Sequence, residues 1–462
     1  MTLLNLFASA AVHHKVHVSF GTTLFFTFLL VAMVLSLAFE EKLHAKKSII
    51  VGFFALVSLF FGTAFGLLPF SFFEKLHMPI YIPAIDWSVI AIILGSSLFV
   101  DVTSGSGLFT WIAIKLTKAS KGDPMMLLIY YGAMTVLFSA VLNNVTAMII
   151  VGSLTGVSLK KLEREEKLLG FLLIEGLLTN IGGLLTLISS VPNIIVGKAA
   201  GISFIKFFLV AGPYVLIATV VTIFMGAKLF DIQKLTTEEE KEKAASLVES
   251  FDENDSIESK GFFWFGAVMT CLFILTIASA SVLPVIKQLG MGYVALGFAL
   301  IMLLRYKSEA DRFYQAIDWD LLGFFAALFV VINVMEHAQV LALIGSGIGW
   351  MLGLGKTVGT AALLLSSAAF SSVTDNIPLS AMLAKILSAR DGTTGQMWWS
   401  VVFGCNLGGN ITPIGSASTL VAVTIIHKYK LPLSFGGFVV KAVPFALLQI
   451  ALATIYVLLF IR

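Results

Sequence analysis

The chain has 462 residues, 58% of them hydrophobic and only 12% charged, with mean hydropathy +0.97 and a net charge of +3. Soluble domains carry about 25% charged residues, and so apolar a chain cannot cover itself with a water-facing surface. The composition excludes a soluble protein, and the small net charge argues against a nucleic-acid partner.

The N-terminus has no lysine or arginine ahead of its first apolar residues, unlike a cleavable leader. The first long apolar run, about residues 17–39, therefore reads as a retained span. His13, His14 and His17 lie just before it, and His13 with His17 has the i, i+4 spacing of a metal pair. Histidines beside a first span are commonly interfacial, so no metal is assigned. Cys271 and Cys405 form neither a disulfide framework nor a metal motif.

Charged breaks at Glu40–Lys47, Lys115–Asp123, Lys160–Lys167 and Arg305–Arg312 separate the apolar segments. Asp86-Trp87 reads as a span start, with tryptophan at the interface and aspartate at a helix N-terminus. Asp101 lies deep in the apolar run Ile92–Val102. Residues 124–157 carry Asn143, Asn144 and Thr146 in their middle, and residues 168–197 carry Asn180, Gly182, Gly183 and Thr186. In hydrocarbon, unwound backbone survives only where protein buries it or where it lines a cavity. The first stretch is thus expected to be a re-entrant hairpin with a polar tip, and the second a discontinuous helix.

Residues 231–260 hold ten acidic and four basic residues and no long apolar stretch, so they read as a solvated linker with some helix. Beyond the linker the pattern repeats. Ala84-Ile-Asp-Trp87 recurs as Ala316-Ile-Asp-Trp319, and Ser139-Ala-Val-Leu-Asn143-Asn144 lands on Ser371-Ser-Val-Thr-Asp375-Asn376. After a six-residue slip, Asn180-Ile-Gly182-Gly183-x-x-Thr186 aligns with Asn406-Leu-Gly408-Gly409-x-x-Thr412, followed by Asn410 inside the second copy. Ser203-Phe204 matches Ser434-Phe435, and Pro213 matches Pro444. Ordered matches of this kind indicate duplication.

The expected fold is all-α and polytopic. Two inverted repeats each carry about five transmembrane helices and one re-entrant hairpin, with discontinuous helices. The expected divisions are 1–230 for the first repeat, 231–260 for the acidic linker on the cytoplasmic side, and 261–462 for the second repeat. Five crossings are an odd number, so the second repeat inserts upside down. An exterior N-terminus puts Lys42, Lys46, Lys47, Lys115, Lys118, Lys160, Lys161, Arg305 and Lys307 inside, giving the basic excess that the positive-inside rule requires.

Paired broken helices near the midplane suit a secondary transporter, because half-helix N-termini face anions and freed carbonyls face cations. The candidate substrate contacts are Asn143, Asn144, Thr146, Asn180, Gly182, Gly183, Thr186, Asp375, Asn376, Asn406, Gly408, Gly409, Asn410 and Thr412. A carboxylate inside a span is costly and faces the protein interior or a cavity, so Asp375 and Asp101 are the proton-coupling candidates, with Asp375 preferred. Glu175 and Glu336 read as hydrogen-bonded buried acids. No Gly-x-x-x-x-Gly-Lys-Ser/Thr loop is present, which argues against an ATP-driven pump. No catalytic residue and no cofactor are assigned.

Ser190-Val-Pro-Asn-Ile-Ile-Val-Gly197 resembles the P-protein branch of the ArsB/NhaD ion transporter superfamily. Ser371-Ser-Val-Thr-Asp-Asn-Ile-Pro378 resembles the same branch and the NhaD-type sodium/proton antiporters. Gly404-Cys-Asn-Leu-Gly-Gly-Asn-Ile-Thr-Pro-Ile-Gly-Ser416 is similar to ArsB-type arsenite permeases. The resemblance covers the chain from about residue 84. It departs at Asn143, where P-protein relatives often have aspartate, and at Asp375, where ArsB-type permeases have asparagine. It implies an elevator-like exchanger in the inner (plasma) membrane that moves a small inorganic ion or metalloid (arsenite, antimonite or Na+) against protons. The implied partners are that ion, protons and the lipid bilayer, with a homodimer left open. The alternative is a sodium-coupled citrate or dicarboxylate carrier of the same superfamily, although no arginine falls inside a motif. A channel or non-transporting receptor is the remaining class.

Overall fold

The computed structural model describes residues 18–68, 79–307 and 310–461; His13, His14 and His17 lie outside them. Among the described residues the secondary structure is helical throughout, and nine helices are long and apolar enough to cross a membrane. Large apolar side chains such as Phe28, Phe53, Leu56, Trp264 and Leu447 stand exposed on the outside, as lipid contact requires.

The first half runs through three spans, α1 (Phe20–Ala38), α2 (Lys47–Ala64) and α3 (Trp87–Ser104), to a short helix α4 (Leu108–Ala119). Hairpin arms α5 (Pro124–Val141) and α6 (Asn144–Lys161) follow, then a broken helix of α7 (Leu168–Gly183) and α8 (Val191–Ala199), and the long α9 (Phe204–Leu229). The linker carries α10 (Glu238–Glu249). The second half repeats the order with α11 (Lys260–Ser279), α12 (Pro284–Arg305), α13 (Trp319–His337) and the short α14 (Val340–Leu352). Its hairpin is α15 (Lys356–Ser371) and α16 (Asn376–Ser388), its broken helix α17 (Gly395–Gly408) and α18 (Ala417–Lys428), and its last span α19 (Phe435–Phe460). Each half thus makes five crossings plus a hairpin, with the broken helix counted once. The short helices α4 and α14 were not anticipated.

Local signals start these helices. Ser19, Asp86, Ser203, Ser259, Asp318 and Ser434 each accept a first-turn backbone N–H, and Asp123 does so ahead of Pro124. Several of these caps are repeat mates. Trp87 Nε1 donates to the Ile82 carbonyl and Trp319 Nε1 to that of Tyr314, the same bond 232 positions on.

Packing across the halves is reciprocal. Helix α3 lies along α12 and α2 along α13, while α8 meets α16 and α18 meets α6. In each couple the second contact is made by the repeat mates of the helices in the first. The outcome is two packed bodies, one of spans α1–α3 and α11–α13, the other of hairpins, broken helices, α9 and α19, with few contacts between them.

The linker is less solvated than its composition suggests. Ala244, Val248 and Phe251 are buried, and Leu235 N–H donates to Asp123 Oδ2 at 2.8 Å. Lys243 pairs with Glu163 at 2.6 Å, and the Lys161 ammonium sits 4.6 Å from the Phe251 ring centre. Lys115, at 2.5 Å, and Lys118 both hold Glu253. Their hydrogen bonds push its carboxyl down to about 2, from about 4.3 for a free glutamate. A depressed acid contributes fully above its free value and loses that contribution as pH falls through the folded value. Docking of residues 238–258 should therefore be constant from pH 5 to 8, weaken only toward pH 2, and loosen in high salt, which screens exposed pairs. Hydrogen exchange of this segment against salt and pH measures it; salt-independent protection would show that the buried apolar side chains alone hold the linker.

Candidate functional site

Each hairpin is locked to the broken helix of its own half by the same two bonds. Ser139 Oγ donates to the Thr179 carbonyl and Ser371 Oγ to the Cys405 carbonyl, both at 2.6 Å. Thr186 Oγ1 donates to the Ala140 carbonyl and Thr412 Oγ1 to the Ser372 carbonyl, both at 2.5 Å. Close backbone approach explains the glycines. A methyl group on Gly182 would stand 2.6 Å from the Val136 carbonyl oxygen, and one on Gly408 2.3 Å from that of Ala368.

The two breaks then bond to each other. Ser190 Oγ donates to Asn406 Oδ1 at 2.8 Å, and Asn180 Nδ2 donates to Ser416 Oγ at 2.9 Å, which is the same pair reflected. Asn406 Nδ2 reaches Asn193 Oδ1, and Asn180 Nδ2 reaches Asn410 Oδ1. Asn410 Nδ2 continues to Gln449 Oε1, whose amide donates to Thr222 Oγ1. At the first hairpin tip, Asn144 Nδ2 donates to Asn180 Oδ1 at 3.2 Å. The first hairpin tip and the two breaks thus bond directly to one another, whereas the second tip, at Asp375 and Asn376, makes no side-chain hydrogen bond to either break among the described residues.

Beside this junction lies a cavity of about 920 Å³. Its mouth carries Glu40, His44, Lys46, Lys47, Asp318 and Asp320, the ends of spans on one face. Among the described residues none from the opposite span ends lines it, so its mouth is on this side. Deeper in, the first turns of α6 (Asn144–Thr146), α8 (Val191, Pro192), α16 (Asn376, Ile377) and α18 (Ala417, Ser418) all line it. Four half-helix N-termini thus converge on one space.

Of the residues singled out from the sequence, Asn143, Asn144, Thr146, Asn180, Asn376 and Asp101 line this cavity. Gly182, Gly183, Thr186, Asn406, Gly408, Gly409, Asn410 and Thr412 lie behind it, buried in the locks just described. Asp375 is also off the wall. It caps α16 through the Ile377 N–H at 3.0 Å, as Asn143 caps α6 through Thr146, and it pairs with Lys47 at 2.5 Å. Asp101 differs, since its side chain has no hydrogen bond or ion pair among the described residues. Glu175 faces Thr155 of α6 at 2.6 Å, and the exposed Glu336 pairs with Lys385. Sequence reasoning missed Lys47, Ser416 and Ser418. Ser416 carried a signal, being the repeat mate of Ser190, whereas Lys47 carried none.

Duplicated broken helices around a one-sided cavity in a lipid-facing bundle define a membrane transporter. The chain matches the model of the citrate transporter family, CitMHS, over residues 28–402, and it belongs to that family. It is 30% identical over 380 residues to an uncharacterized transporter of Mycobacterium tuberculosis, covering 80% of this chain and 86% of the relative. It is 23% identical over 452 residues to the P protein of Homo sapiens, covering 81% of this chain and 53% of that protein. The fold resembles the crystal structure of the Alcanivorax borkumensis YdaH transporter, described as having an unusual topology, with a TM-score of 0.55 and 14% identity over 90% of this chain and 98% of the other. The family reached is that of citrate transporters, and the P protein is among the relatives, as the resemblance at 190–197 implies.

Proposed function

We propose that this protein is a secondary active carrier of a polycarboxylate of the citrate class, driven by a cation or proton at Asp101 and cycling by an elevator-like movement. The observation that carries the reading is the convergence of four half-helix N-termini on one cavity. Their N–H groups and positive dipole ends favour a multiply charged anion. Arsenous acid is neutral at pH 7 and would gain little there, and Na+ would be held only at the Asp101 carboxylate, not at the helix ends. The cavity lies within the ~300–1,000 Å³ of small-ligand sites. Asn144, Thr146 and Asn376 are the proposed direct contacts; the buried Asn180, Gly182, Gly183, Thr186, Asn406, Gly408, Gly409, Asn410 and Thr412 hold the helix ends in place. The sparse interface between the two packed bodies supports one sliding against the other.

The carboxylates at the mouth, Glu40, Asp318 and Asp320, favour a second reading as a sodium/proton antiporter. Flux into proteoliposomes of the purified chain separates the two. Saturable citrate uptake, accelerated by an imposed pH or sodium gradient and abolished by an ionophore, is the expected result. Sodium or arsenite flux without any citrate uptake would overturn the carboxylate reading.

A further inference from the structure

Among the described residues three ion pairs join the spans to the hairpins and broken helices: Lys198–Asp86, Lys385–Glu336 and Lys47–Asp375. In the first two, both side chains are 30–51% exposed, and such pairs contribute little. The third is different, with Asp375 9% and Lys47 24% exposed.

Its position is informative. Lys47 is the first residue of α2, at the cavity mouth, and Asp375 is the N-cap of α16, at the tip of the second hairpin. The two belong to different packed bodies. The first hairpin has the neutral Asn143 at the matching cap, so the device exists once and on one face. Because Asp375 also fixes the first turn of α16, the pair sets where Asn376 stands on the cavity wall. Any movement of the hairpin along the spans must break it.

We infer that Lys47 is a gating and positioning residue: its bond to Asp375 latches the second hairpin in the state whose cavity opens on the Lys47 face. The inference rests on alternating access and is independent of which substrate is carried. Loss of the latch removes stabilisation from this state alone, so the equilibrium shifts toward the opposite-facing state.

The labelling test needs no substrate. Cys271 is replaced by serine and the fully buried Cys405 is left in place. The reporter is Ser97→Cys on the cavity wall, labelled in proteoliposomes by a membrane-impermeant maleimide supplied on the Lys47 face. Lys47→Met and Asp375→Asn are each expected to slow labelling by roughly three- to tenfold, the population shift available from a partly screened ion pair. Lys47→Arg, which keeps the charge and leaves the Asp375 cap on Ile377 in place, is expected to label at close to the parental rate. A second measurement covers a variant that fails to fold: Lys47→Cys with Asp375→Cys, made without the Ser97→Cys reporter and joined by a bifunctional maleimide, should stop transport. Unchanged labelling in both single variants, or transport that continues across the crosslink, overturns the latch. If citrate is not carried yet labelling shifts as described, the latch stands and only the substrate assignment falls.

Discussion

Asp101→Asn is expected to reduce gradient-driven uptake to the level of empty liposomes while leaving the protein folded and able to exchange substrate at equilibrium. An intramembrane carboxylate costs free energy unless a partner compensates it. Asp375 has Lys47 and a helix N-terminus, and Glu336 has Lys385, while Glu175 is enclosed away from the cavity with one oxygen on Thr155 and the other without a hydrogen bond. Asp101 has no partner among the described residues and faces the cavity beside Ser97 and Ser104. A proton or cation from the cavity is the compensation left to it. Asparagine keeps the shape and removes the charge, so binding and fold should survive while coupling does not. Asp375→Asn should instead retain coupled uptake with an altered KM, because it loosens the hairpin tip. Coupled uptake that persists in Asp101→Asn and vanishes in Asp375→Asn would return the coupling role to Asp375.

Sequence patterns exposed the duplication because it acts through local chemistry repeated at fixed offsets. Ser139 and Ser371, Thr186 and Thr412, and Gly182 and Gly408 are the same residues making the same contacts twice. The hairpins and breaks followed from asparagine and glycine standing where a simple span could not hold them. What the sequence concealed was which polar residues face the cavity and which face each other. Asn180 and Asn406 are repeat mates with similar surroundings in sequence. Both are fully buried, yet Asn180 borders the cavity and Asn406 does not, because the cavity lies on one side of the junction. Asp375 drew attention as a lone charge opposite Asn143. Its partner Lys47 lies 328 positions away in a charged break that resembles any span end. The amphipathic α4 was hidden for a related reason: Lys115 and Lys118 read as ordinary loop charges until Glu253 is seen to dock on them.

The glycine pair supplies the largest expected effect on stability. Gly182→Ala and Gly408→Ala are each expected to cost around the upper end of the ~1–3 kcal/mol typical of overpacking. The obstacle at both positions is a backbone carbonyl of the hairpin arm, at 2.6 and 2.3 Å, and cannot rotate away like a side chain. Relief requires moving α7 away from α5, or α17 away from α15, which stretches the serine and threonine bonds that flank each contact. Gly408 should be the more severe, having the shorter approach. Gly297, inside α12, is the contrasting case, with no atom within 4 Å of the added methyl. Gly297→Ala should be neutral or stabilising by up to about 1 kcal/mol, since alanine favours the helix. Thermal melting of the four purified proteins in one detergent ranks them: Gly297→Ala at or above the wild type, then Gly182→Ala, then Gly408→Ala. Equal melting temperatures throughout would mean that the hairpins yield freely, and the rigid lock between each hairpin and its broken helix would have to be abandoned.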